Sequence, residues 1–243
     1  MFRGRPLLVL SPHFDDACFS LGGFLLSLRS GELVNVFTQG DHLARRWAAR
    51  GQQDVYAIRD AEDAAFAKMC GLCRSDLGCE EPSLRGRRPG GLEGLADDIA
   101  QIQDAVLAHL DKRARDFAPG EKGVLLAPLG AGRHVNHRAV AQVVAEALPR
   151  LCRAWEVYFY EDLPYASAWF GRRAALSRMR RQVRLKRRLA LLPAWAVKKR
   201  LLALYPSQLE GEPRKARFRP SAWPFAPHEA LWEAEPRSLG GEN

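Results

Sequence analysis

Long apolar runs are missing from this sequence. Near its start the chain offers only Leu7 to Leu10, against the about 7–15 apolar residues of a signal-peptide core and the about 20 of a membrane span. Secretion and membrane insertion are therefore not expected, and a cytoplasmic location is. An even cysteine set is missing as well. Five cysteines scattered through 243 residues make a poor disulfide framework and suit a reducing compartment better. There is no Gly-x-Gly-x-x-Gly fingerprint and no Walker-type Gly-Lys-Ser/Thr, so nucleotide binding has little support. The absence of a Gly-x-Ser-x-Gly elbow lowers serine-hydrolase chemistry. Internal repeats and low-complexity tracts are also lacking.

What is present is ordinary globular material, 47% hydrophobic and 27% charged, in a chain long enough to bury about 70% of its unfolded surface. Charge is unevenly placed. Residues 172–243 hold 17 Lys/Arg against 6 Asp/Glu, while residues 1–171 hold 20 against 22. Between Arg172 and Arg200 stand twelve basic residues and no acid. Such a block attracts nucleic acid, an anionic surface or an acidic substrate. A solvated helix face in an arginine-rich chain (30 Arg, 7 Lys) accounts for it more simply.

The first two-thirds alternates strands with helices. Pro6 to Ser11 reads as a buried strand. Residues 17–29 follow as a helix, with Phe19, Leu21, Phe24, Leu25 and Leu28 at three- and four-residue steps. Leu33 to Thr38, Gly123 to Ala127 and Trp155 to Tyr160 read as further strands, and 55–69, 92–115 and 136–148 as further helices, with a Gly/Pro/Arg-rich loop over 83–91. That alternation predicts an α/β fold, a Rossmann-like open sheet, mainly parallel and flanked by helices. Residues 1–165 are expected to form this core. Residues 166–243 are expected to form a basic helical extension, with helices over 166–190 and 194–204 and a Pro- and aromatic-rich tail, packing on the same domain.

Ligands of such sheets bind beyond the carboxyl ends of the strands, and two polar clusters fall there. Ser-Pro-His-Phe-Asp-Asp, Ser11 to Asp16, follows the first strand, and Gly-Ala-Gly-Arg-His-Val-Asn-His, Gly130 to His137, follows Gly123–Leu129. Together they hold three of the six histidines. A catalytic zinc takes about three His/Asp/Glu/Cys ligands and leaves one position open. His13, Asp16 and His137 supply such a set, with Asp15 as an unbound carboxylate placed to act as general base and His134 as a donor to a developing oxyanion. Each cluster alone has a plainer reading. The Asp pair suits a helix cap, and the second cluster suits a solvated helix start.

Ser-Pro-His-Phe-Asp-Asp followed by Gly22-Gly23 resembles the first motif of the PIG-L/LmbE-like zinc deacetylases, His-Pro-Asp-Asp followed by paired glycines. Gly-Arg-His-Val-Asn-His, residues 132–137, resembles their His-x-Asp-His motif. The likeness extends loosely through Arg59–Glu62, residues 160–166 (YEDLPYA) and residues 205–208 (YPSQ). It implies Zn2+ held by His13, Asp16 and His137, Asp15 as base, His134 polarising the acyl oxygen, and Arg59 as a substrate-binding candidate. The implied reaction removes an N-acetyl group from an amino-sugar conjugate. Two positions depart from the pattern. Phe14 replaces proline, and Asn136 replaces an aspartate that supports a neighbouring imidazole from outside the ligand set, a role the amide weakens.

Remaining features have bland expectations. Cys70, Cys73 and Cys79 lack a fourth ligand for structural zinc and read as small apolar residues or free thiols. Leu176, Met179 and Val183, with Leu185, Leu189 and Leu192 beyond, read as a core-facing stripe. Gly22 and Gly23 read as allowing close helix–sheet approach. The residue 160–166 and 205–208 tyrosines read as site walls or packing. Besides the deacetylase, two readings stand: an amidase of the same fold with another acyl group or a non-sugar amide, and a basic module using residues 172–219 on an anionic surface. Nucleic acid is not the expected partner, and salt-sensitive affinity is what would mark it.

Overall fold

The computed structural model describes residues 2–44, 54–191, 193–209 and 229–237, with the side chains of residues 187 and 188 excluded. Seven strands form one sheet in the order β3-β2-β1-β4-β5-β7-β6. The central strands are β1 (Leu7–Ser11), β2 (Glu32–Gln39), β4 (Gly123–Pro128) and β5 (Trp155–Tyr160), with β3 (Cys73–Glu80) at one edge. These five are parallel. On the other side β5 pairs antiparallel with β7 (Glu229–Pro236), which pairs antiparallel with β6 (Val183–Leu191).

Parallel strands buried on both faces are expected to be continuously apolar, and β1 and β4 are buried at every position. Alternate residues serve opposite layers. Leu8 and Leu10 join Ile102, Val106 and Val140 on one face; Leu7 and Val9 join Leu21, Leu25 and Phe66 on the other. Helices α1 (Asp16–Leu28) and α2 (Val55–Cys70) therefore cover one face, and α3 (Leu95–Ala114) and α4 (Val135–Leu151) the other. Each such side chain contributes roughly 1.5–3 kcal/mol on burial.

Three expectations need correction. The helix expected over 166–190 ends early: α5 spans Trp169–Gln182, and β6 takes over from Val183. Leu176, Met179 and Val183 do face the core, as expected, at 7%, 2% and 1% exposure; Leu192 lies outside the described residues. The second C-terminal helix is α6 (Trp195–Leu202), followed by a single turn, α7 (Pro206–Leu209). Strands β3 and β7 were not expected at all. Gly23 and Gly22 permit a different close approach. A Cβ on Gly23 would lie 2.3 Å from Pro193, and one on Gly22 would lie 3.1 Å from Leu201, so the glycines admit the C-terminal helix as well as the sheet.

One buried ion pair fastens this flank. Lys198 of α6 and Glu229 of β7 are both inaccessible to solvent, with Nζ–Oε1 at 2.6 Å. Glu229 also accepts the backbone N–H groups of Gly23 and Phe24 in α1 at 2.9 and 2.8 Å. Among the described residues, no helix is long and apolar enough to cross a membrane.

Candidate metal-hydrolase site

Strand order reverses between β1 and β4, so the loops leaving their carboxyl ends open a crevice. The β1 loop is folded by its own side chains. Ser11 Oγ donates to the His13 carbonyl at 2.5 Å and accepts from Ala17 N–H at 3.0 Å. Asp16 Oδ2 accepts from His13 N–H at 2.9 Å and lies 2.8 Å from His13 Nδ1. Phe14, in the usual proline position, is buried with the guanidinium carbons of Arg59 and Arg74 at 5.7 and 5.6 Å from its ring centre. The aromatic ring thus anchors the loop by cation–π contact. Asp15 occupies the position before α1 yet makes no side-chain cap bond, so the capping reading fails and its carboxyl group faces the cleft.

The second loop delivers His134 immediately before α4, and Asn136 and His137 in its first turn. Ring centres of His13 and His137 are 5.3 Å apart, and those of His13 and His134 4.6 Å. Among the described residues, the metal-capable cluster is His13, Asp16 and His137, all buried, with their ligand atoms within 4.8 Å of one another. Cys70, Cys73 and Cys79 form no such group and are free thiols.

The hydrogen bonds around the donor set fit a metal ion. Asp162, at the end of β5, lies with Oδ1 2.8 Å from His137 Nδ1. A donated Nδ1–H turns the Nε2 lone pair inward, where it is buried without a hydrogen-bond partner, 3.2 Å from Asp16 Oδ2. Two lone pairs that close need something positive beside them. Asn136 lies 3.0 Å from His13 Nε2, and its Oδ1 is buried without a partner. With the amide turned over, Oδ1 accepts from Nε2–H, and Nδ1 of His13 also faces Asp16 with a free lone pair. Two nitrogens and a carboxylate oxygen then converge, the donor chemistry of a catalytic zinc.

The electrostatics agree with this assignment. Burial opposes charge on Asp16, but His137 and His13 hold its carboxyl well below the usual range. Burial also works against a charged His137, yet Asp16 and Asp162 push it up to about 10. A region that holds a proton this firmly favours a cation. Asp15 goes the other way: burial and the neighbouring Asp16 charge raise it, which makes it the better proton acceptor. Burial, then His13 and His137, keep His134 well below its ordinary value and therefore neutral.

His13, Asp15, Asp16 and His134 line a cleft of about 520 Å3 together with Asp41, His42, Arg59, Glu81, Tyr165 and Gln208, among others. Arg59 is buried beside the loop, pairing with Glu81 at 2.6 Å while its Nε lacks a partner. All seven expected site residues therefore meet in one region: His13, Asp15, Asp16, Arg59, His134, Asn136 and His137. Sequence reasoning missed Asp162 and Glu81. Asp162 follows β5 as the other loops follow β1 and β4, so the carboxyl-end rule had the signal. Glu81 follows β3, a strand the sequence pattern did not announce.

An open, mainly parallel sheet thus carries, at its switch point, a His/Asp/His cluster that could hold a metal ion and a carboxylate outside that cluster, a candidate hydrolase site. Its sequence profile places the chain further: residues 8–148 match the family described as PIG-L, GlcNAc-PI de-N-acetylase, and the chain belongs to that family. A 2'-N-acetylparomamine deacetylase from Streptomyces fradiae is 32% identical over 169 residues, covering 68% of this chain and 58% of the relative. The match thus spans little more than half of that protein's length. The zinc-inhibited form of teicoplanin deacetylase shares the fold, with TM-score 0.67 and 18% identity over 97% of this chain and 100% of the other. The A40926 pseudoaglycone deacetylase does too, with TM-score 0.65 and 20% identity over 98% and 100%.

Proposed function

We propose that this protein is a zinc-dependent hydrolase that removes an N-acetyl group from an amino-sugar-containing conjugate. The observation carrying the proposal is the convergence of His13, Asp16 and His137 beside a carboxylate, Asp15, that neither caps a helix nor belongs to the ligand set. His13 Nδ1, an Asp16 oxygen and His137 Nε2 would hold the ion, with Asn136 and Asp162 orienting the imidazoles from behind. A divalent ion there acidifies water and polarises an acyl oxygen. Asp15 takes the proton of the attacking water, helped by its raised pKa. Neutral His134 donates to the oxygen on which charge develops. Asp15, now protonated, passes its proton to the departing amine nitrogen. Arg59 lines the cleft as a binding group for the sugar.

A cleft of about 520 Å3 lies in the range of small-molecule sites, and the paromamine relative makes an N-acetylated amino sugar the natural first substrate. The basic-module reading loses ground because several of its cations are already committed. Arg172 grips Glu161 with two bonds, Arg178 bonds the Gly130 carbonyl, and Lys198 is buried on Glu229.

The test couples metal analysis to amine release from 2'-N-acetylparomamine and N-acetylglucosaminyl conjugates. One zinc per chain and loss of turnover on chelation are expected. Asp15→Asn should keep the metal and lower kcat by about 10²–10⁴-fold. Undiminished turnover in that variant, or a fully loaded protein that releases no amine from any of these conjugates, would reject the reading.

A further inference from the structure

A buried row of oxygens lies beneath the Asp15 loop, and the mechanism above does not use it. Tyr205, which opens the residue 205–208 turn, is fully buried. Its hydroxyl lies 2.8 Å from Asp63 Oδ1 and 3.2 Å from the carbonyl oxygen of Phe14, the residue before Asp15. Asp63 of α2 is also fully buried, and its Oδ2 accepts from Asn35 Nδ2 at 2.7 Å.

Joining three oxygens in a row takes two hydrogens, and Tyr205 supplies one. An ionised Asp63 is the stronger acceptor and claims it, leaving the Phe14 carbonyl without that donor. A protonated Asp63 donates to Tyr205 Oη instead and frees the phenol hydrogen for Phe14. We propose that Tyr205 is a positioning residue for the catalytic loop, tethering Phe14, and through it Asp15, only while Asp63 carries a proton.

The groups around Asp63 decide where the proton leaves. From β3, Arg74 Nε lies 3.4 Å away and favours the charged form, while Asp76, which shares Asn35 at 3.0 Å, opposes it. From β2 and the C-terminal turn, Asn35 and Tyr205 donate to the charged form, and from α1 the buried Cys18 thiol, itself pushed well up by burial, stays uncharged. Asp60 and Asp76 each pair with Arg74 and dilute its pull. Burial outweighs the favourable contacts and pushes Asp63 up to about 7. The tether is therefore made below neutral pH and lost above it. Asp63→Asn imitates the protonated acid at every pH, because its Nδ2 donates to Tyr205 while its Oδ1 accepts from Asn35.

Phe14–Asp15 is the only Phe–Asp step in the sequence, so the full chain labelled with carbonyl-13C phenylalanine and 15N aspartate gives one correlated signal, from the Phe14 peptide. In the native protein that signal should shift with pH, with a midpoint near that of the Asp63 side-chain carboxyl. In Asp63→Asn the step that follows the Asp63 carboxyl in the native chain should be absent, leaving only the separate step of Asp15's own carboxyl. In Tyr205→Phe the signal should sit on the high-pH side of the Asp63 step throughout, with kcat on N-acetylparomamine about tenfold lower and KM within about twofold, as small displacements of a catalytic group produce. A native Phe14 signal without a step at the Asp63 midpoint, or one that titrates in Asp63→Asn as in the native chain, overturns the proposal. Should Tyr205→Phe fail to fold, the native and Asp63→Asn spectra still decide. Only the kinetic arm rests on the deacetylase reading; the labelled signal needs no turnover, so the two can fail separately.

Discussion

The parallel half of the sheet and its antiparallel flank solve different problems with similar residues. In the parallel half, β1, β4 and β5 are largely apolar runs, and the loops beyond their carboxyl ends carry candidate site residues: His13 and Asp16, His134 and His137, and Asp162. In the flank, β6 and β7 alternate, carry charge along their length and contribute none of the expected site residues. Their charged groups fasten instead. Lys198 and Glu229 join α6, β7 and α1, and Arg172 joins α5 to Glu161. Carboxylates that look alike in composition thus divide into those poised for a cation and those already holding one.

Removing the buried fastener should break this division most visibly. Lys198→Met keeps the volume but leaves Glu229 buried without its cation, a change that costs about 3–5 kcal/mol. Urea unfolding should show that loss, and Lys198→Met/Glu229→Gln should recover most of it. Zinc content and kcat per folded molecule should stay within about twofold of native, since neither residue lines the cleft. A large kcat loss at unchanged stability would mean that the flank does chemistry and that the comparison is wrong.

Within the site the same contrast appears between the two imidazoles. His137 is backed by a carboxylate, Asp162, and His13 by an amide, Asn136. Outer partners of this kind are worth about 10–100-fold in metal affinity. Asp162→Ala should fall towards the upper end, because Asp162 also accepts from Ala131 N–H at 2.9 Å and so fixes the second loop. Asn136→Ala should fall towards the lower end. Competition with a chromophoric chelator measures both, and equal losses would remove the distinction between charged and neutral support.

The two regions also differ in how plainly the sequence announces them. Apolar runs such as Leu7–Leu10 and Gly123–Ala127 declare buried parallel strands, and the loops after them carry the motif residues, so the central parallel strands and the seven residues that gather at their carboxyl ends are legible. Over 183–191 the leucines and arginines favour helix locally, and beyond the stripe Leu176, Met179, Val183 the residues Leu185, Leu189 and Leu192 keep helical spacing among themselves. Yet Val183, Leu185, Leu189 and Leu191 also stand at even separations, a period-two pattern that becomes decisive once β7 offers a partner. Pairing between distant segments overrode local preference. β7 itself, with three glutamates and a terminal proline, resembles tail. β3, an edge strand with alternating exposure, buries too little to show as an apolar run. Asp162 stands where the carboxyl-end rule points, but a lone aspartate shows its role only once His137 Nδ1 lies 2.8 Å away.

The edge of the flank supplies the smallest and sharpest contrast. Lys186 of β6 pairs with Glu235 of β7, the same two residue types as Lys198 of α6 and Glu229 of β7. Their side chains, however, are 39% and 38% exposed. Water already solvates both partners, so forming the pair gains little, and holding two long side chains together costs entropy. Exposed pairs of this kind contribute about 0–1 kcal/mol. Lys186→Ala should therefore change urea stability by less than about 1 kcal/mol, and salt should shrink even that. The charge also protects an edge strand from pairing with another copy, so the variant's clearer signature should be concentration-dependent association in light scattering. A loss approaching that of Lys198→Met would show that burial is not what separates the two lysines.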